Sequence, residues 1–112
     1  MGMYTIVETP TFQRYSAGIW NDGELMEFKL WLAATPLAGD VVPGSGGLRK
    51  VRWSRAGMGK RGGARVVYFN QLAQGEIALL IVYTKAKFDN LPTEFLLRLK
   101  EVFEHAQDQN QT

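Results

Sequence analysis

Residues 76–84 read EIALLIVYT, and from Leu79 to Val82 both faces of the strand they would form are apolar. A strand with water on one side alternates apolar and polar residues, so this run predicts the central strand of a sheet. The other elements are placed around it. Residues 3–8 (MYTIVE) alternate and include β-branched positions, and they read as a short strand. Pro10 opens a short helix to about Ala17, ended by Gly18. Residues 22–34 repeat apolar side chains at Leu25, Phe28 and Leu32, with Trp31 widening the stripe; this predicts a helix capped by Asp22 and stopped at Thr35-Pro36. A glycine- and proline-rich connection, 37–47, follows. The period then switches to two. Residues 48–53 (LRKVRW) form a strand with Leu48, Lys50 and Arg52 on one face and Arg49, Val51 and Trp53 on the other.

Residues 54–63 (SRAGMGKRGG) read as a basic loop, and 64–70 (ARVVYFN) as a strand joined to 76–84 through a hairpin at 71–75. Leu91-Pro92 starts a last helix with Phe95, Leu96, Leu99, Val102, Phe103 and Ala106 on its inner stripe, fraying from Gln107. The order β-α-α-β-β-β-α predicts an α+β fold, a small antiparallel sheet with helices packed on one face. The 112 residues are enough for one domain over 1–112, with no repeat and no linker. There is no cysteine, which removes disulfides and thiolate metal sites. No apolar run approaches the ~20 residues of a membrane span, and no basic stretch precedes an apolar one at the start. A cytoplasmic protein without membrane contact is expected.

The net charge of +2 conceals an asymmetry. Seven basic residues lie between Val41 and Gly75 (Arg49, Lys50, Arg52, Arg55, Lys60, Arg61 and Arg65) with no acidic residue among them. The rest of the chain sets six basic residues against eleven acidic ones, net −5. A concentrated cationic segment on an otherwise acidic scaffold is the footprint of a polyanion-binding surface. Gly57 to Gly62 also fits G-x-G-x-x-G, but a strand follows where a dinucleotide site needs a helix.

The segment GSGGLRKVRWSRAGMGKRGGARVVYF, then EIALLIVYTKAKFDNL and the last helix, resembles the RelE/HigB toxins of type II toxin–antitoxin systems. Within them it is most similar to the branch with a glycine-rich KRGG loop before the third strand. The resemblance implies a microbial-ribonuclease-like fold and cleavage of mRNA in the ribosomal A site. It also implies neutralisation by a helix-turn-helix antitoxin, with any DNA contact made only through the antitoxin complex.

RNA cleavage by its own 2′-hydroxyl needs that proton removed, the phosphorane stabilised and the departing 5′-oxygen protonated. The chain has a single histidine, His105, near the end of the last helix, and no acid in the cationic segment. What remains is clustered lysine and arginine, able to hold a phosphorane and to depress the pKa of a neighbouring lysine. In the family these roles belong to basic residues on the second and third strands and at the end of the fourth. The matching positions are Lys50, Arg52, Arg65 and Lys85, working without metal or cofactor. Arg49, Arg55, Lys60, Arg61 and Tyr68 are candidates for RNA contact, although Arg49 faces away from Lys50 and strand aromatics commonly pack in the core. Tyr83 has the same two readings. Where many RelE proteins carry a further arginine this chain has Ala86, and where they carry a stacking tyrosine its only aromatic is Phe88. Two other classes fit the charge pattern: a basic RNA- or DNA-binding module without chemistry, and a degenerate phage-derived relative that has lost activity.

Overall fold

The computed structural model describes residues 4–53, 63–88 and 90–110. Strand β1 (Thr5–Glu8) leads into helix α1 (Pro10–Ser16), helix α2 (Asp22–Ala34), the two-residue strand β2 (Asp40–Val41), β3 (Arg49–Trp53), β4 (Ala64–Gln71), β5 (Glu76–Thr84) and helix α3 (Thr93–Asn110). The five strands form one sheet in the order β1-β5-β4-β3-β2, so β5, which carries the run apolar on both faces, is an interior strand, flanked by β1 as far as Leu79 and by β4 along its length. The α+β class agrees with the sequence reading, and so does the element order apart from the two-residue strand β2, which lies within the expected connection 37–47.

Two details of the architecture differ from it. The sheet is mixed, because β1 pairs parallel to β5 while every other pairing is antiparallel. Helices also cover both faces. Phe12 of α1 and Phe28 and Leu32 of α2 pack with Val51, Val66, Tyr68, Ile77 and Leu79. Leu96 and Phe103 of α3 pack on the other side with Val67, Ala78, Leu80 and Ile81. The cause lies in β5: a strand apolar on both faces is hydrophobic in both directions, and one helical layer would leave half of it wet.

Local chemistry sets the helix ends. Asn21, not Asp22, caps α2: its side chain accepts from the Glu24 N–H at 2.8 Å, while Glu24 Oε1 accepts from the Asn21 N–H at 2.9 Å. Thr9 caps α1 by accepting from Phe12 N–H, and its hydroxyl donates to the Leu79 carbonyl at 2.7 Å, pinning the helix start to β5. Helix α3 continues past Gln107 to Asn110, with no proline or glycine to stop it, and Gln71 Nε2 donates to Gln107 Oε1 at 3.2 Å. The stripe of α3 is narrower than its spacing suggests. Val102 is 69% exposed and, with Leu99, Phe103 and Val7, lines an open groove of about 460 Å³ between β1 and α3.

Between β4 and β5 a 3-10 turn (Leu72–Gln74) closes the hairpin, and Gly75 takes the left-handed conformation that ends it, at φ +72°. One register shift interrupts the pairing: Val67 faces Ile81, yet Tyr68 faces Leu79, so Leu80 is an extra residue in β5. This β-bulge puts Leu80 and Ile81 on the same face and reverses the parity of everything after them.

Candidate functional site

The cationic residues come together through strand register. Pairing of β3 with β4 sets Lys50 opposite Val67 and Arg52 opposite Arg65. Pairing of β4 with β5 sets Arg65 opposite Tyr83. Opposed residues share a face, and Val67 and Tyr83 belong to the cluster under α3; Lys50, Arg52 and Arg65 therefore project from the α3 side of the sheet. Directly opposed side chains have their Cβ atoms about 4.5–5.5 Å apart, close enough for Arg52 and Arg65 to grip one anion. Residues two apart on a strand are separated by about 6.5 Å, which places Lys50 next in line.

The opposite face of β3 explains why Arg52 is held in this direction. Trp53 packs against Trp31 at 4.9 Å and Phe28 at 5.7 Å between ring centroids, anchoring the strand end to α2. Val51 is buried in the same cluster. With residues 51 and 53 fixed inward on that side, Arg52 must emerge on the other, where it is exposed.

Among the described residues, Lys50, Arg52, Arg65 and Lys85 make no ion pair with an acidic group; Lys29 and Glu8, which do pair at 2.8 Å, are elsewhere. Arg52 and Arg65 thus face each other as like charges in a position where opposite charges would stabilise the sheet. Such an arrangement costs stability and suits a surface completed by an external anion. Burial pushes the Tyr83 hydroxyl above its ordinary pKa of 10.0, and the neighbouring Arg65 charge pulls it partly back. The phenol therefore borders the cationic row as a neutral group.

Lys85 is not part of the paired rows. It is exposed in the turn that follows β5, one residue beyond the Thr84–Ala64 pair, at the same end of the sheet as Arg52 and Arg65. Arg55, Lys60 and Arg61 lie outside the described residues. His105 is exposed on α3. The groove between β1 and α3 runs beside the other half of β5 and contains none of the cationic residues.

Two of the expected RNA contacts are accounted for differently. Tyr68 is fully buried on the α1/α2 face; its hydroxyl donates to the Pro36 carbonyl at 2.8 Å and accepts from Gly39 N–H at 2.9 Å. A ring enclosed in this way offers no face to a base, and its expected stacking role is withdrawn. Burial raises its pKa, opposed by the Gly39 hydrogen bond and Arg49. Arg49 is on that same face, and its Nη1 donates to the Gly39 carbonyl at 2.6 Å and to Leu37 at 3.4 Å. It fastens the turn before β2. Together the two side chains hold residues 36–39 against the sheet, a tertiary role with no local signature.

What the sequence reading did not settle was Tyr83. Alternation counted from Ile77 puts residue 83 on the α1/α2 face, away from Arg65. The bulge at Leu80 turns it toward Arg65.

No protein-family model matches the chain. Among solved structures, the chain is similar to a doubly arginine-substituted variant of the E. coli toxin RelE in the free state. The two superpose with a TM-score of 0.55 and 12% identity, covering 79% of this chain and 90% of the other. At that identity the likeness is one of fold, and the sheet with its flanking helices is RelE-like.

Proposed function

We propose that the protein is a ribosome-dependent endoribonuclease of the toxin type, cleaving mRNA in the A site without a metal and controlled by an antitoxin. Arg52 and Arg65, opposed and without an acidic partner among the described residues, carry this reading together with Lys50 on the same face. In the proposed step the 2′-oxygen attacks the adjacent phosphorus, the bond to the 5′-oxygen breaks, and a 2′,3′-cyclic phosphate remains. A lysine of the cluster, Lys50 or Lys85, takes the 2′-hydroxyl proton, and a protonated neighbour supplies one to the leaving 5′-oxygen. Arg52 and Arg65 hold the extra negative charge of the phosphorane through charge-assisted hydrogen bonds.

Nothing in this cluster aligns the 2′-hydroxyl with the phosphate, a task assigned here to the ribosome. The RelE-like fold supports the toxin reading, and the cognate antitoxin is expected from a neighbouring reading frame encoding a helix-turn-helix protein. The test is expression with and without that neighbour, following growth and mapping mRNA 5′ ends by primer extension. Discrete new ends inside translated regions, abolished by Arg65→Ala and by Lys85→Ala, support the nuclease. Salt-dependent RNA binding without new ends supports a non-catalytic module, and folded variants that stay fully toxic overturn the site.

A further inference from the structure

The cationic row does not stop at β5; it runs into aromatic rings. Strand β1 pairs with β5 only as far as Leu79, and beyond that point α1 takes its place along the edge of β5. Tyr15 of α1 is half-buried there. Its ring meets Phe88 edge-on, with centroids 6.2 Å apart at 68°. Phe88 in turn meets Tyr83, the neighbour of Arg65, at 6.3 Å and 71°. The exposed Lys87 has its Nζ over the Tyr15 ring, 5.5 Å from the centroid. The turn holding Lys87 and Phe88 is fixed, since both backbone N–H groups donate to the Thr84 carbonyl at 3.1 Å.

At this sheet end the arginine pair Arg52 and Arg65 adjoins an aromatic cluster in which Tyr83 is buried and Phe88 and Tyr15 are half-buried, with the exposed Lys87 over the Tyr15 ring. Single-stranded RNA offers the matching chemistry, phosphates alternating with flat bases. We propose that Tyr15, backed by Phe88 and covered by Lys87, seats a nucleobase of the strand whose phosphate lies between Arg52 and Arg65. This rests on the RNA-binding reading above. A base displaces Lys87 from the ring, because an exposed cation–π contact is weaker than a base–aromatic stack. The freed ammonium then reaches the phosphate next to that base. The site takes a base a few nucleotides from the scissile bond and tolerates any of the four, since every base has a π-face.

The experiment uses the full chain and two fluorescent single-stranded RNA hexamers at low ionic strength, one with bases throughout and one with abasic positions. Tyr15→Leu keeps the apolar volume and removes the ring; Tyr15→Phe keeps the ring. The expected result is a weakening of about tenfold or more for Tyr15→Leu on the base-bearing strand, with wild-type affinity for the abasic strand and for Tyr15→Phe on both. Arg65→Ala weakens both strands alike. If Tyr15→Leu, folded by its melting curve, binds the base-bearing strand like wild type while Arg65→Ala loses both, the base seat is overturned and the phosphate site stands. Equal loss on both strands for Tyr15→Leu also overturns it, assigning the ring to packing alone. If Arg65→Ala changes nothing, or the wild type binds neither strand, the RNA reading beneath it fails.

Discussion

Arg52 and Arg65 stand directly opposite one another on adjacent antiparallel strands, with no acidic partner among the described residues. In a sheet this is the arrangement that pairwise energetics disfavour, since opposed like charges destabilise where opposite charges contribute about 0.2–1 kcal/mol. The fold tolerates it because Val51, buried, and Trp53, half-buried against α2, hold the strand on either side of Arg52. Hydrophobic packing fixes the strand, and the charges follow.

Stability and activity should therefore move in opposite directions at this pair. Arg65→Ala relieves the repulsion and is expected to leave the melting temperature unchanged or slightly raised, while abolishing growth arrest. A drop of several degrees with retained toxicity would assign Arg65 a structural role instead. In RNA titrations the same variant should flatten the dependence of log affinity on log salt by about 0.7, the contribution of one phosphate contact on a single strand.

Tyr68 should behave as a core residue. Tyr68→Phe removes the hydroxyl that serves both the Pro36 carbonyl and Gly39 N–H; the carbonyl keeps its bond from Asn70 Nδ2 at 2.9 Å, while Gly39 N–H loses the hydroxyl as its acceptor. The expected cost is about 1–3 kcal/mol in denaturant unfolding, with RNA affinity of the folded fraction unchanged. Affinity loss without stability loss would restore an RNA contact at this position.

Gly39→Ala is expected to damage both stability and cleavage. A Cβ there would stand 2.8 Å from the Lys50 carbonyl oxygen and 3.1 Å from the Tyr68 ring. The nearer contact is backbone, so β3 has to shift and carry Lys50 with it. Unfolding by denaturant and primer extension on the same variant check the two effects, and a fully stable, fully active Gly39→Ala contradicts this account.

Thr9→Ala should loosen α1 from β5 by removing the cap on Phe12 N–H and the hydrogen bond to Leu79, at a cost of about 0.5–2 kcal/mol. Thr9→Ser keeps both bonds and is expected to restore most of the loss, which thermal unfolding of the two variants measures.

The alkaline limit of the fold follows from its two buried phenols. Burial raises the pKa of Tyr83 and of Tyr68 above 10.0 in the folded chain. Between the unfolded and folded values the native state retains protons that the unfolded state has released. Stability is then complete below about pH 10 and declines as pH rises through the folded values. Arg65→Ala removes a charge that favours the Tyr83 phenolate, so tyrosinate absorbance should appear at higher pH in the variant. Movement in the other direction contradicts the placement of Arg65 beside Tyr83.

Much of this was legible in the chain itself. The alternation in residues 48–53 and 64–70 decided which of their side chains share a face, and the run Leu79–Val82 decided that its strand would be interior. The exclusion of histidine and thiolate chemistry from the cationic segment needed only an inventory. These are local or compositional properties, carried by period and residue type.

Partnership between distant residues was settled by the tertiary structure. That Arg52 meets Arg65, that β1 runs parallel to β5, and that Tyr68 spends its hydroxyl on residues 36 and 39 all depend on register and on which strands become neighbours. Above all, one extra residue at Leu80 reversed the parity of β5 and brought Tyr83 to the arginine row. A period of two fixes alternation but is blind to a single insertion, because the bulge is stabilised by contacts with other strands and helices rather than by its own sequence.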